Sequence, residues 1–271
     1  MKIIVPTYMR EERQGAYRGL PDCLKKDVIL FTHSGRAPLL KKHNPEAKVV
    51  DLGKCDGIAD VRQSIVTYCG CEGLGKVMMI DDQCYFNFRL PSGKLSVMDN
   101  AKRFHTMLGE VSDMLDDFPQ VGISPRPGNN RVTEDYVSPS RSYSCYGLNV
   151  ASLFSNDICF DGMYVKDNRI KLFEDFYLTL SMLLKGIPNA VLYKYAHYHN
   201  HGKDGGNSHY RTSDTQLLCL EALREEFPSF VKLVQKESKT WLFKDGEAQY
   251  RWECVVQWKK AYLHGCGKDL L

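Results

Sequence analysis

Apolar residues in the first third of the chain fall into short blocks, separated by polar stretches and one helix-like segment. Lys2–Val5 is a β-branched run stopped by Pro6, and Asp27–Phe31 repeats the pattern before Thr32, His33, Ser34 and Gly35. Lys48–Val50 is a third block, closed by Asp51 and Gly53. Lys76–Ile80 is a fourth, almost wholly apolar and ending in Asp81 and Asp82. Short blocks of this kind predict buried strands. Between the last two, Ile58, Val61, Ile65 and Tyr68 recur at the spacing of one helix face. Strands and helices in this rhythm predict an α/β fold with a mainly parallel sheet covered on both faces. Ligands of such sheets bind beyond the carboxyl ends of the strands. Pro6–Tyr8, Asp51 and Asp81–Gln83 fall there.

Further along, Val97–Phe118 predicts a long amphipathic helix ending before Pro119. Glu174–Lys185 predicts a helix stopped by Gly186 and Pro188, and Thr215–Phe227 another. Ser124–Arg141, with Pro125, Pro127 and Pro139 among small polar and charged residues, is long for a connector and predicts a functional loop. Neither an internal repeat nor a low-complexity linker divides the chain, so one domain spanning residues 1–271 is expected. No apolar run is long enough to cross a membrane, and the run before Pro6 is too short for a signal-peptide core. The expectation is a soluble cytoplasmic protein without a membrane partner.

Composition narrows this picture only at its edges. With 271 residues, 43% hydrophobic and 25% charged, the chain is an ordinary globular one, which excludes disordered, collagenous and coiled-coil classes. A net charge of +3 means that any polyanionic partner must be met by local clusters. Ten cysteines show neither a C-x-x-C pair nor another zinc-finger spacing. Cys84, Cys145, Cys159 and Cys254, in apolar or aromatic surroundings, are expected to be reduced packing residues.

Three clusters carry candidate chemistry. Asp81 and Asp82 crowd two acids at the end of a strand, an arrangement that a cation or hydrogen bonds must neutralise. A solvated turn is the plain alternative. In extended backbone Asp81 and Gln83 share a face while Asp82 points away, and oxygen ligands of this kind suit Mg²⁺ or Mn²⁺. Glu174 and Asp175 open a helix, where the dipole alone is sufficient reason for acids, yet either is also placed to act as a general base. His197, His199 and His201 alternate near Lys203 and Gly205–Gly206, a spacing that puts all three imidazoles on one side of an extended strand. By contrast, Gly70–Val77 only mimics a phosphate-binding loop. Val77 replaces the required hydroxyl, and the segment precedes a strand where a helix is needed.

In order and spacing, these motifs resemble the A-type glycosyltransferase fold, a nucleotide-diphospho-sugar transferase layout. Val5–Arg10 looks like its first-strand nucleotide motif, Gly57–Gln63 like its arginine-bearing helix, and Lys76–Gln83 like the strand before its Asp-x-Asp motif, with Gln83 at the second acid. Phe173–Asp175 is similar to its acceptor-side base motif. More narrowly, GIADVRQSI, MIDDQCYF, FEDFYLTLSMLLKG, GGNSHYRT and YRWECVVQWKKAY resemble the TET-associated glycosyltransferases of bacteriophages, thought to glycosylate 5-hydroxymethylated pyrimidines in DNA.

The resemblance implies a nucleotide-sugar half over residues 1–90 and an acceptor half with a C-terminal tail over 91–271. Pro6, Thr7, Tyr8, Arg10, Asp51, Arg62, Asp81 and Asp82 would bind the donor, with a UDP-sugar favoured. Asp82, Gln83, His199 and His201 would hold Mn²⁺ or Mg²⁺. Asp175, with Glu174 beside it, would deprotonate the acceptor with inversion at the anomeric carbon. Arg141, Lys203 and Arg211, with Arg126 and Arg131, would meet DNA phosphates, and Tyr136, Tyr143 and Tyr210 would stack on bases. A polysaccharide, lipid or protein acceptor fits the same motifs, and the amide at Gln83 leaves open a non-catalytic nucleotide-sugar binder. A sugar-phosphate nucleotidyltransferase fits less well, because Pro6–Tyr8 stands where its glycine-rich loop belongs.

Overall fold

Alternating side chains in the short apolar blocks enter two different cores, and this fixes the layers of the molecule. The computed structural model describes residues 1–162, 164–165, 168–169, 171–199, 205–206, 211–237 and 250–268. Its elements are β1 (Lys2–Pro6), α1 (Gly15–Gly19), α2 (Asp22–Lys25), β2 (Val28–Thr32), α3 (Ala37–His43), β3 (Lys48–Asp51), α4 (Gly57–Cys71) and β4 (Lys76–Ile80). There follow β5 (Cys84–Arg89), β6 (Leu95–Val97), α5 (Ala101–Met114), β7 (Gln120–Pro125), β8 (Tyr136–Val137), β9 (Cys145–Asn149) and α6 (Val150–Ser155). The remainder comprises β10 (Tyr164–Val165), β11 (Asn168–Arg169), α7 (Glu174–Leu184), β12 (Ala190–His199), α8 (Ser213–Glu226), β13 (Val231–Glu237), β14 (Tyr250–Val256) and α9 (Trp258–Gly265).

Ten strands form one sheet in the order β3-β2-β1-β4-β9-β7-β12-β5-β6, with β8 attached to β12. The four predicted strands pair in parallel, and β7 and β12 run the same way. Only β5, β8 and β9 oppose that direction. The sheet is therefore mostly parallel and flanked by helices, as expected. Ile3, Val5, Val28, Leu30, Met78 and Ile80 enter a core beneath α5. Their neighbours Ile4, Ile29, Phe31, Val77 and Met79 enter a second core beneath α4, α6 and α7. A third apolar cluster joins α7 to α8, α9 and the β13–β14 hairpin.

Two expectations need correction. Val97–Phe118 is not one helix: Leu95–Val97 pairs with β5 as an edge strand. The helix starts after Asn100, whose side chain accepts the Arg103 N–H at 3.2 Å and so caps it. Nor is Ser124–Arg141 wholly loop, since it completes β7 and supplies β8. Asn129 ties that stretch down. Fully buried, it donates to the carbonyls of Tyr193 and Tyr195, both at 3.0 Å. The strands β5, β9 and β12 escape periodicity because their polar residues are buried rather than facing water, as with Asn87 and His197.

Candidate active site

The ends of β1, β2 and β3 form one wall. Tyr8 stacks on His33 with ring centroids 4.2 Å apart and planes 14° from parallel, and the Arg36 guanidinium lies 5.8 Å from the Tyr8 ring. Burial holds the His33 imidazole below its usual range, against the opposing pull of Asp51. Asp51 itself accepts the Gly53 N–H at 2.9 Å, shaping the turn after β3. Behind Tyr8, Thr7 donates to Gln14 at 3.0 Å, and Gln14 in turn donates to the Arg10 carbonyl at 2.8 Å. His33 and Arg36 were missed in the sequence because they sit in a loop whose polar character is unremarkable.

Next to this wall, the turn after β4 splits its two acids. The expected alternation fails because residues 81–84 form a hydrogen-bonded turn, with Cys84 N–H to Asp81 O at 3.1 Å, and not an extended strand. Asp82 does not point away but is buried, 4% exposed, and paired with Arg10 at 3.0 Å. Burial pushes its carboxyl up to about 7, although Arg10 pulls it down. Gln83 turns instead to the Arg13 carbonyl.

Asp81 belongs to a different set. Arg62, from the middle of α4, donates to Asp81 at 3.0 Å and pairs with Glu174 at 2.6 Å. Its guanidinium also lies 5.5 Å from the Tyr146 ring centroid. The arginine side chain is 5% exposed and the Glu174 side chain 6%. One guanidinium here faces two carboxylates, Glu174 buried and Asp81 partly exposed, so removal of Arg62 leaves both acids uncompensated. Burial raises the Glu174 and Asp175 carboxyls, and Arg62 opposes both shifts. Arg62 is thus engaged by protein acids, a role that the sequence did not disclose. Phe173, in left-handed backbone at φ 68°, turns the chain into α7 and sets both acids in its first turn.

Beside the start of α7, Arg141 lies 4.4 Å from the Tyr143 ring and 4.6 Å from the Phe176 ring, with its charge acting on Asp175. Arg126 lies over Tyr198 at 5.3 Å. Arg211 is placed elsewhere, donating to Gln216 at 3.0 Å at the start of α8. Tyr136 is exposed on β8 and packs edge-on to Phe118. His201, Lys203 and Tyr210 lie outside the described residues.

Among the described residues, the expected metal ligands Asp82, Gln83 and His199 are not brought together. Asp82 is committed to Arg10 and Gln83 to a backbone carbonyl, whereas His199 sits with His197 and Cys84. Asp82, Gln83 and His199 as arranged do not fit a hard Mg²⁺ or Mn²⁺ ion. Nearby, Gly205 and Gly206 close on the first-strand loop, with Gly206 N–H to Tyr8 O at 2.8 Å.

Among the described residues no helix is long and apolar enough to cross a membrane. A family described as TET-Associated Glycosyltransferase matches residues 1–207. No curated protein sequence matches the chain. Among solved structures, S. aureus TarS 1–349 is similar at 16% identity and a TM-score of 0.46, covering 83% of this chain and 66% of that one. The same protein in complex with UDP-GlcNAc gives 14%, 0.46, 83% and 67%. A UDP-glucose pyrophosphorylase complexed with UDP-glucose gives 9%, 0.41, 73% and 91%.

Proposed function

The chain belongs to the TET-associated glycosyltransferase family, and from that premise we propose that it moves a sugar from a nucleotide-sugar donor to the hydroxyl of a 5-hydroxymethylated pyrimidine in DNA. The observation that carries this reading is the bridge that the buried Arg62 makes from Asp81 to Glu174. It fixes the donor-side end of β4 to the first turn of α7, where Asp175 stands.

In this reading the stacked Tyr8 and His33 rings offer a platform for a nucleotide base, bordered by Asp51 and Arg36. The donor's diphosphate meets Arg10 and Arg13 in the loop after β1. As the bond to the sugar breaks, negative charge grows on that diphosphate, and fixed cations stabilise it most in the transition state. Asp175 accepts the proton of the incoming hydroxymethyl group. Its raised affinity for protons makes it a better base than an exposed aspartate. Arg62 and Arg141 oppose that rise, and Phe176 N–H donates to it at 3.0 Å, fixing its orientation. Attack opposite the leaving group inverts the anomeric centre.

The test is incubation with a panel of nucleotide-sugars and DNA carrying hydroxymethylcytosine or hydroxymethyluracil, read by nucleoside mass spectrometry. A sugar-sized mass gain on one nucleoside is expected. Its absence on both DNAs, with transfer to a polysaccharide, lipid or protein instead, would overturn the acceptor. Asp175→Asn is expected to lower the transfer rate by about 10²–10⁴-fold. A near-normal rate would remove Asp175 as the base.

A further inference from the structure

Register across two strands assembles a ligand set that sequence spacing hides. In the β5–β12 ladder Cys84 stands directly opposite His199, and His197 precedes His199 by one pleat on the same face. The Cys84 sulfur and one imidazole nitrogen each of His197 and His199 lie within 4.8 Å of one another. Cys84 and His197 are each 1% exposed, while His199 is half-buried and opens the cluster to the surface. Among the described residues, neither ring nitrogen of His197 has a hydrogen-bond partner. Leaving a buried imidazole unsatisfied is costly, and a ligand at one of its nitrogens would remove part of that cost. Tyr143 packs edge-on to His197 at 5.5 Å and limits its rotation.

We propose that Cys84, His197 and His199 form a binding site for a thiophilic divalent metal of the zinc class. One sulfur and two nitrogens are the donors that such ions prefer over Mg²⁺ or Mn²⁺. Tetrahedral coordination needs ligand atoms roughly 3.5 Å apart, which small side-chain rotations reach from the present cluster. Binding releases the Cys84 thiol proton to solvent, and both histidines ligate as neutral imidazoles. Cys145, which hydrogen-bonds Cys84, becomes the thiol that supports the ligating sulfur. Three protein ligands leave a fourth position for water or another group, and Asp81 is the acid whose charge reaches both Cys84 and His197. The ion ties the first residue after the Asp81–Gln83 turn to the end of β12.

Cobalt reports on such a site without reference to activity. The full chain, stripped with a chelator, is titrated with Co²⁺ alone. We expect one equivalent to give tetrahedral visible bands and a thiolate-to-cobalt charge-transfer band, both abolished by Zn²⁺. Cys84→Ser should lose the charge-transfer band while far-ultraviolet circular dichroism is unchanged. His199→Asn, at a half-buried position that does not endanger the fold, should weaken Co²⁺ binding at least tenfold. Replacing the exposed Cys71 and Cys266 by Ser should leave the spectrum intact. Absence of the charge-transfer band in the parent chain, or its survival in Cys84→Ser, would overturn the site. Were Cys84→Ser not to fold, unchanged Co²⁺ affinity in His199→Asn would overturn it equally.

Discussion

Arg62 is the side chain on which the site's charge balance turns. It is buried against Asp81 and Glu174, and each acid depends on it for compensation. Arg62→Met is expected to destabilise the protein by about 3–5 kcal/mol in urea unfolding. Adding Glu174→Gln should recover part of that loss, because one of the two stranded charges is gone; no recovery would deny the coupling. Asp82 gives a pH-dependent counterpart. Its folded-state affinity for a proton is raised from 3.8 to about 7 by burial. The stability it contributes is therefore full below pH 4 and lost as pH rises through about 7. Asn mimics the protonated form, so Asp82→Asn should gain on the parent chain between pH 4 and 8. At most the gain is about 4 kcal/mol. Thermal unfolding of both proteins across that range measures it, and a constant difference would mean that Asp82 stays ionised throughout.

At the level of elements, the two glycines after β12 decide how closely the later chain approaches the first-strand loop. Gly205 has φ +90°, and a Cβ there would sit 2.5 Å from the Met9 carbonyl oxygen, so any side chain must lift the turn away. Gly205→Ala is expected to raise the donor KM about tenfold, equivalent to 1.4 kcal/mol, with the core unfolding temperature nearly unchanged. An unaltered KM would show that this contact is irrelevant to donor binding. Contacts of this kind also mark the limit of what the sequence discloses. Apolar blocks gave β1 to β4, and helical spacing gave α4, α7 and α8, because burial on regular faces imposes periodicity. The motifs at the strand ends were legible for the same reason. What stayed hidden depends on partners distant in sequence. Arg62 needs Glu174 to be understood, Gln83 needs Arg13, and the neighbour of Cys84 across the sheet, His199, needs the β5–β12 register.

For the molecule as a whole, a net charge of only +3 cannot hold DNA through a general field. Under the proposed reaction, contact with phosphates would come from arginines that the fold gathers at one place, and two of them flank the end of β12. The Arg126 N–H donates to the His197 carbonyl at 2.7 Å while its guanidinium covers Tyr198. Arg141 covers Tyr143, which itself packs on His197. An arginine held on an aromatic face loses little freedom when it meets a phosphate, and each phosphate neutralised releases condensed counterions. If these two and one or two further cations engage the duplex, log affinity should fall against log salt with a slope of about −2 to −4. Fluorescence anisotropy of a hydroxymethylated duplex over a sodium chloride series measures that slope. Arg126→Ala and Arg141→Ala should each make it shallower by about 1, without changing the preference for one modified base. A flat response to salt would remove DNA as the acceptor and leave the donor site, with its Tyr8–His33 platform, untouched.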